Sequence, residues 1–270
     1  MASYEPLNRQ THERLRCGPT RSYRFAAEKT LVPIILDEIA AVAREYPIIF
    51  PMGEAALPCA LVGMRPQTNA FVTDEGAWHA DYIPMQIRHH PFALTKTPDA
   101  QPDDGKAQFT LCIDPAAEEC ADLEGPRVFN PDGSLGPEAA QKAEMAKLLL
   151  ERSGITKAMV QVLDEAGLLV ERSIKMKLLD EEPRVVQGFR VVDEQKLNQM
   201  PDADFVSLRN KGVLPLVYAH LMSMANLRQG VLAGQITPTR QAPVADAPAP
   251  PTEDLDLSVF GDEGDVDIPQ

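Results

Sequence analysis

The composition of the chain breaks near residue 234, and that break bounds what can fold. From Gln235 to Gln270 eight acidic residues stand against Arg240 alone, six prolines interrupt the backbone, and Phe260 is the single aromatic residue. Such a segment cannot bury enough apolar surface to offset the entropy of ordering it. Residues 235–270 are therefore expected to form a disordered, acidic, Pro-rich tail, and residues 1–234 the globular domain. The tail carries −7 of the formal net charge of −14. With 44% hydrophobic residues, the rest of the chain is long enough for one substantial core or two small ones.

Within those 234 residues the pattern changes at about residue 135. The first part is rich in short apolar runs and turn signals. Residues 34–44 read as a helix with Pro33 at its entry. Residues 47–52 and 58–64 read as strands, and 69–72 with 77–82 as a strand pair around Thr73-Asp74-Glu75-Gly76. Residues 106–114 alternate well enough for a further strand. The second part opens on the longest helical pattern, from Pro137 and Glu138 to Gly167. Leu148, Ile155, Met159, Val162, Leu163 and Ala166 mark its apolar stripe, and Gly154 is a potential kink. A hairpin follows, with strands around Ile174–Leu178 and Arg184–Val192, then a helix between Asp202 and Gly212 and another opened by Pro215. The expected fold class is α+β, with a mostly antiparallel sheet in the N-terminal half and helices and a hairpin in the C-terminal half.

Charge and motifs exclude several functions. Forty acidic against 26 basic residues give a surface that repels phosphate backbones, so no nucleic-acid partner is expected. The apolar runs 31–43 and 213–225 are shorter than the roughly 20 residues of a membrane-spanning helix, so no transmembrane segment is expected. Residues 1–10 are polar and lead into no apolar stretch, which leaves a cytoplasmic protein as the expectation and export without a cleavable signal as the alternative. The four cysteines, Cys17, Cys59, Cys112 and Cys120, have irregular spacings that suit neither a zinc site nor a disulfide framework. Phosphate-binding loops, nucleophile elbows and H-E-x-x-H are all missing.

What chemistry remains is sparse. His79 and Asp81 form an H-x-D pair that an extended strand would place on one face, and His220 could complete a two-histidine, one-carboxylate iron site. Against that, such short motifs arise by chance, and His220 beside an apolar helical stripe is more commonly a core-edge histidine. His89 and His90 read as a polar helix end. The carboxylate pairs Glu118-Glu119, Asp180-Glu181-Glu182 and Asp193-Glu194 read as solvated turn residues. In the tail, Asp254-Leu255-Asp256-Leu257-Ser258-Val259-Phe260 alternates acids with apolar residues, a pattern able to dock on a partner or merely to solubilise.

Six segments together resemble a known family. They are Arg44-Glu45-Tyr46-Pro47-Ile48-Ile49-Phe50, Ala80-Asp81-Tyr82-Ile83-Pro84, Arg88-His89-His90-Pro91-Phe92 and Cys112-Ile113-Asp114. The other two are Gly188-Phe189-Arg190-Val191-Val192-Asp193-Glu194 and Tyr218-Ala219-His220-Leu221 with Ser223. In order and spacing they are similar to the motif series of the bacterial SapC family, from about Tyr4 to Leu232, with the tail outside it. The resemblance implies a link to the bacterial surface layer or envelope and no established biochemical activity. It also implies association with outer-membrane TonB-dependent receptors and with halogenase-like or cupin-like oxygenases. On that basis the expected function is a non-enzymatic binding or interaction protein, with Tyr46, Asp81, Tyr82, Arg88 and His220 as candidate binding residues. The alternative is an Fe2+-dependent oxygenase, or its accessory, using His79, Asp81 and His220.

Overall fold

The computed structural model describes residues 4–53, 56–97, 108–121, 124–176 and 184–235. The tail, including Asp254 to Phe260, and the tip of the hairpin lie outside the described residues. Contacts gather Met1–Thr237 into one compact unit.

Two antiparallel sheets organise that unit. The smaller has β1 (Glu5–Pro6), β5 (Phe92–Lys96) and β6 (Phe109–Ile113) in the order β1-β6-β5. The larger has β2 (Leu31–Pro33), β3 (Ile48–Pro51), β4 (Cys59–Leu61), β7 (Leu169–Met176) and β8 (Arg184–Val192), ordered β2-β4-β3-β8-β7. The fold is α+β, as the sequence indicates, but its halves are not separate: the C-terminal hairpin β7–β8 continues the N-terminal sheet through β3, with Phe50 opposite Arg190 and Pro51 opposite Phe189. The strand period of two then sorts β3. Ile48 and Phe50 face the main core, while Ile49 faces a small cluster with Cys59 and Phe189 on the other side.

The helices are α1 (Arg9–His12), α2 (Ile39–Ala43), α3 (Met85–Arg88), α4 (Pro137–Glu165), α5 (Glu194–Asn198), α6 (Asp202–Asn210), α7 (Leu214–Ser223) and α8 (Asn226–Gln229). At about 1.5 Å per residue α4 is long enough to serve both sheets. Its start packs Ala139 beside Phe92 and Ile113 in the second core, and its end packs Val160 and Leu163 in the main one. Gly154 does not interrupt it. After Glu165 it stops on Gly167, whose positive φ lets the Leu168 amide bond back to the Leu163 carbonyl at 2.9 Å.

Three expectations need correction. Residues 34–44 are not one helix: the chain leaves β2, makes a single turn over Leu36–Glu38, and only then enters α2. Residues 69–82 are not a strand pair but a loop closed by one isolated bridge, Val72 to Trp78. The buried stripe of α4 runs through Ala139, Lys142, Ala146, Leu149, Thr156, Val160 and Leu163, while Ile155 is exposed. Two polar residues on that stripe hide the true face from a hydrophobic count. Thr156 fits because its hydroxyl donates to the Arg152 carbonyl and accepts from the Leu36 amide, at 2.9 and 3.2 Å. Among the described residues no helix is long and apolar enough to cross a membrane.

Candidate functional site

Of the residues singled out from sequence, three converge. The Tyr46 hydroxyl donates to the Tyr82 carbonyl and accepts from the Trp78 indole at 2.8 Å. The Tyr82 hydroxyl donates to Glu38 at 2.9 Å and accepts from Arg88 at 3.1 Å, with the guanidinium also lying over the Tyr82 ring. The residue that organises this group, Glu38, carries no signal in the sequence. It is 2% exposed and accepts from the amides of Ile35 and Met85 as well. Burial raises its carboxyl above the usual range, and the donors around it hold the shift in check. Burial likewise pushes the hydroxyls of Tyr46 and Tyr82 far up, so both remain protonated donors.

Asp81 belongs to this group only through its backbone. The amides of Asp81 and Tyr82 are both held at 2.8 Å by the Glu45 carboxylate, and the Asp81 side chain is exposed. His79 is exposed too, in the loop rather than on a strand.

His220 lies apart, in the core. Its Nε2 accepts from the Val192 amide at 3.1 Å and its Nδ1 donates to the Ile48 carbonyl at 2.7 Å. The β3–β8 register, continued two residues from Phe50 and Arg190, would put Ile48 opposite Val192. The imidazole is thus wedged into the ladder in place of a direct strand bond. Ser223 does the same one turn on, accepting from the Ile48 amide at 2.9 Å. Burial lowers the His220 pKa to about 4, so the ring is neutral at ordinary pH. With both nitrogens bonded to backbone it has no lone pair for a metal. Among the described residues no three His, Cys, Asp or Glu side chains group to hold one. His79, Asp81 and His220 are accordingly not brought together.

A different place has the shape of a site. A cleft of about 640 Å³ lies between the segment around Phe25, the end of α3 and the turn after β6. Its lining includes Tyr4, Phe25, His89, His90, Asp114 and Glu119. Three of these correct what the sequence suggests. His89 and His90 are 7% and 5% exposed rather than a polar helix end, and Glu119 is 5% exposed rather than a solvated turn acid. The His90 Nδ1 meets Glu119 at 3.1 Å, and the Phe25 ring stacks on the imidazole at 3.7 Å, 9° from parallel. Burial alone would raise the Glu119 carboxyl, but the His90 hydrogen bond, a backbone amide and Thr20 outweigh it and hold it below the usual range. Beneath them the buried Lys142 ammonium donates to the His90 carbonyl at 2.7 Å and to Thr20 at 2.9 Å. Burial lowers the His89 pKa, and its Nδ1 bonds to the Phe92 carbonyl at 2.5 Å. That leaves Nε2 of both histidines without a bonded partner among the described residues.

The two places are connected. Trp78, which donates to Tyr46, packs edge-on to Tyr23 at 5.6 Å, Tyr23 lies 6.2 Å from Phe25, and Phe25 stacks on His90. An aromatic row therefore runs from the Glu38 group to the cleft wall. In the sequence this cleft is marked by the adjacent His89-His90 pair, by Asp114 in another family segment and by the Glu118-Glu119 pair. Glu38 and Lys142 have no such mark, and Glu119 reads as a solvated turn acid, because a charged residue reads as exposed until its partner is known.

The arrangement is that of an α+β domain whose polar interior fixes loops around one cleft. The SapC family model matches residues 7–229, and the chain belongs to the SapC family. No curated protein and no solved structure matches it.

Proposed function

We propose that this SapC-family protein is a non-enzymatic binding protein whose cleft takes a cationic group, an ammonium or guanidinium, carried on a small molecule or on a basic side chain of an envelope component. The observation that carries the proposal is the cleft wall. His89, His90 and Asp114, from two separate family segments, meet there, and the lining holds four carboxylates (Glu28, Asp114, Glu118 and Glu119) against Arg24 and Lys29. Asp114 and Glu119 both help to raise the Tyr4 pKa, after its burial, which reports a negative potential inside. Tyr4 and Phe25 add aromatic surface suited to an alkylammonium or guanidinium. Several of the charged and polar groups of the wall are engaged with one another, His90 Nδ1 with Glu119 and Lys142 with the His90 carbonyl and Thr20, which favours a rigid receptor. Tyr46, Tyr82 and Arg88 act behind the cleft, shaping the loops through Glu38. The link to the bacterial envelope or surface layer is part of the same proposal and rests on the family name.

Calorimetric titration of the full chain with agmatine, glutarate serving as the anionic control, tests the reading. Agmatine is expected to bind, more weakly as salt rises, and Asp114→Asn to weaken it about tenfold, the equivalent of 1.4 kcal/mol. That variant keeps the oxygen which accepts from the Ala116 amide at 3.2 Å. No agmatine binding, or equal binding of glutarate, refutes the proposal.

A further inference from the structure

Cys17 and Cys120 are 103 residues apart in sequence and side by side in space. One hydrogen bond, from the Gly18 amide to the Glu119 carbonyl at 2.9 Å, joins the peptide unit after Cys17 to the peptide unit before Cys120. The two Cα atoms flank that single bond, so the two side chains start from neighbouring points on adjacent segments, as a disulfide requires. Both side chains are buried in the same small core beside Phe92, Ile113 and Ala139; the Cys17 thiol lies 3.8 Å from the Gly18 carbonyl and the Cys120 thiol 3.6 Å from the Asp114 carbonyl. Cys59 and Cys112 have no such neighbour: Cys59 bonds to the Leu57 carbonyl, and Cys112 to Thr95 and the Thr110 carbonyl.

We infer that Cys17 and Cys120 form a reversible dithiol–disulfide site that hydrogen peroxide oxidises. The Cys17 sulfur attacks one peroxide oxygen, the O–O bond breaks, and the departing hydroxide takes the Cys17 proton to leave as water. Cys17 is then a sulfenic acid. The Cys120 sulfur attacks the Cys17 sulfur, the S–O bond breaks, and the second hydroxide leaves as water with the Cys120 proton. Two electrons pass from the dithiol to peroxide, and the products are one disulfide and two waters.

The surroundings assign the order of attack. The neighbouring Cys120 thiol lowers the Cys17 pKa, and the Lys142 ammonium acts in the same direction, against burial and the charges of Glu119 and Glu138. The same contact raises Cys120, which leaves it the resolving thiol. Access fits a small oxidant only. Both thiols are buried, but a second cleft of about 270 Å³ runs along their two segments, lined by Gly18, Pro19, Glu118 and Glu119 among others. Because Glu119 holds His90, closing the bond would lock one wall of the larger cleft, although the inference does not depend on what that cleft binds.

The test treats the full-length native protein with hydrogen peroxide, counts free thiols, and maps cross-links by mass spectrometry before and after dithiothreitol. Two of the four thiols are expected to disappear, with Cys17 joined to Cys120, and to return on reduction. Cys17→Ser and Cys120→Ser should each abolish the cross-link, whereas Cys59→Ser/Cys112→Ser should retain it. A Cys17–Cys120 peptide missing from oxidised wild-type protein overturns the inference, whatever the fate of the variants. So does equal consumption of Cys59 and Cys112.

Discussion

Replacing His220 by glutamine isolates one proton in the core and predicts how stability depends on pH. The folded pKa is about 4 against an ordinary 6.5, so the unfolded chain takes up a proton that the folded chain refuses. The stability this ring contributes is therefore complete at neutral pH and declines as pH falls through 6.5 toward 4. Each pH unit between those two values is worth about 1.4 kcal/mol, so the full penalty is about 3 kcal/mol, and about 2 kcal/mol of it is reached by about pH 5. The group is 1% exposed, so solvent does little to screen this penalty. A glutamine amide can donate to the Ile48 carbonyl and accept from the Val192 amide as the imidazole does, but it does not titrate. Urea unfolding of both proteins at about pH 7 and about pH 5 should show the wild type losing about 2 kcal/mol more than His220→Gln. The carboxylates that titrate in that window are common to both chains and cancel. Parallel losses would refute the placement of His220 as a neutral wedge in the ladder.

Two further substitutions check the packing. A Cβ on Gly63 would stand 1.8 Å from the Thr68 carbonyl oxygen, whereas one on Gly154 meets nothing within 4 Å. Gly63→Ala should lower stability by about 2 kcal/mol or more, and Gly154→Ala, in the open middle of α4, should raise it by about 0.8 kcal/mol; thermal unfolding of the pair reads both, and a stabilised Gly63→Ala would contradict the close approach. Tyr82→Phe removes the hydroxyl that bridges Glu38 and Arg88 and should cost about 2 kcal/mol by leaving a buried carboxylate short of a donor. An unchanged melting temperature would mean that Glu38 is better hydrated than its burial implies.

Periodicity makes β3, β4, β6, α4, the C-terminal hairpin, α6 and α7 legible in the sequence, because each carries its own apolar pattern or cap. The loop over residues 69–82 is not legible, because turn residues flanked by apolar ones suggest a hairpin. Here the two arms are instead tied elsewhere, Asn69 to the Ala26 carbonyl and residues 81–82 to Glu45. The α4 face is obscured for a related reason: Lys142 and Thr156 occupy core positions that only tertiary partners make tolerable. The site is the least legible of all. Tyr46, Tyr82 and Arg88 group in space, yet the charges that organise both interior groups, Glu38 and Glu119, are indistinguishable in sequence from surface acids.

The family segments have a common physical role that explains both the successes and the failures. Glu45 and Tyr46 of the first segment bind the backbone of residues 81–82 in the second, and Arg88 of the third binds the Tyr82 hydroxyl. Asp114 of the fourth donates its amide to the Pro91 carbonyl of the third. His220 and Ser223 of the last bind Ile48 of the first, and His220 also binds Val192 of the fifth. Each bond joins separate segments of the chain, and those of Tyr46, His220 and Ser223 use buried polar groups that would be costly to leave unpaired. A motif built of such cross-links looks chemically rich and yet holds shape. The side chains of His89, His90 and Asp114 are the exception, because they also face the cleft, and a functional reading of this domain should begin from them rather than from His220.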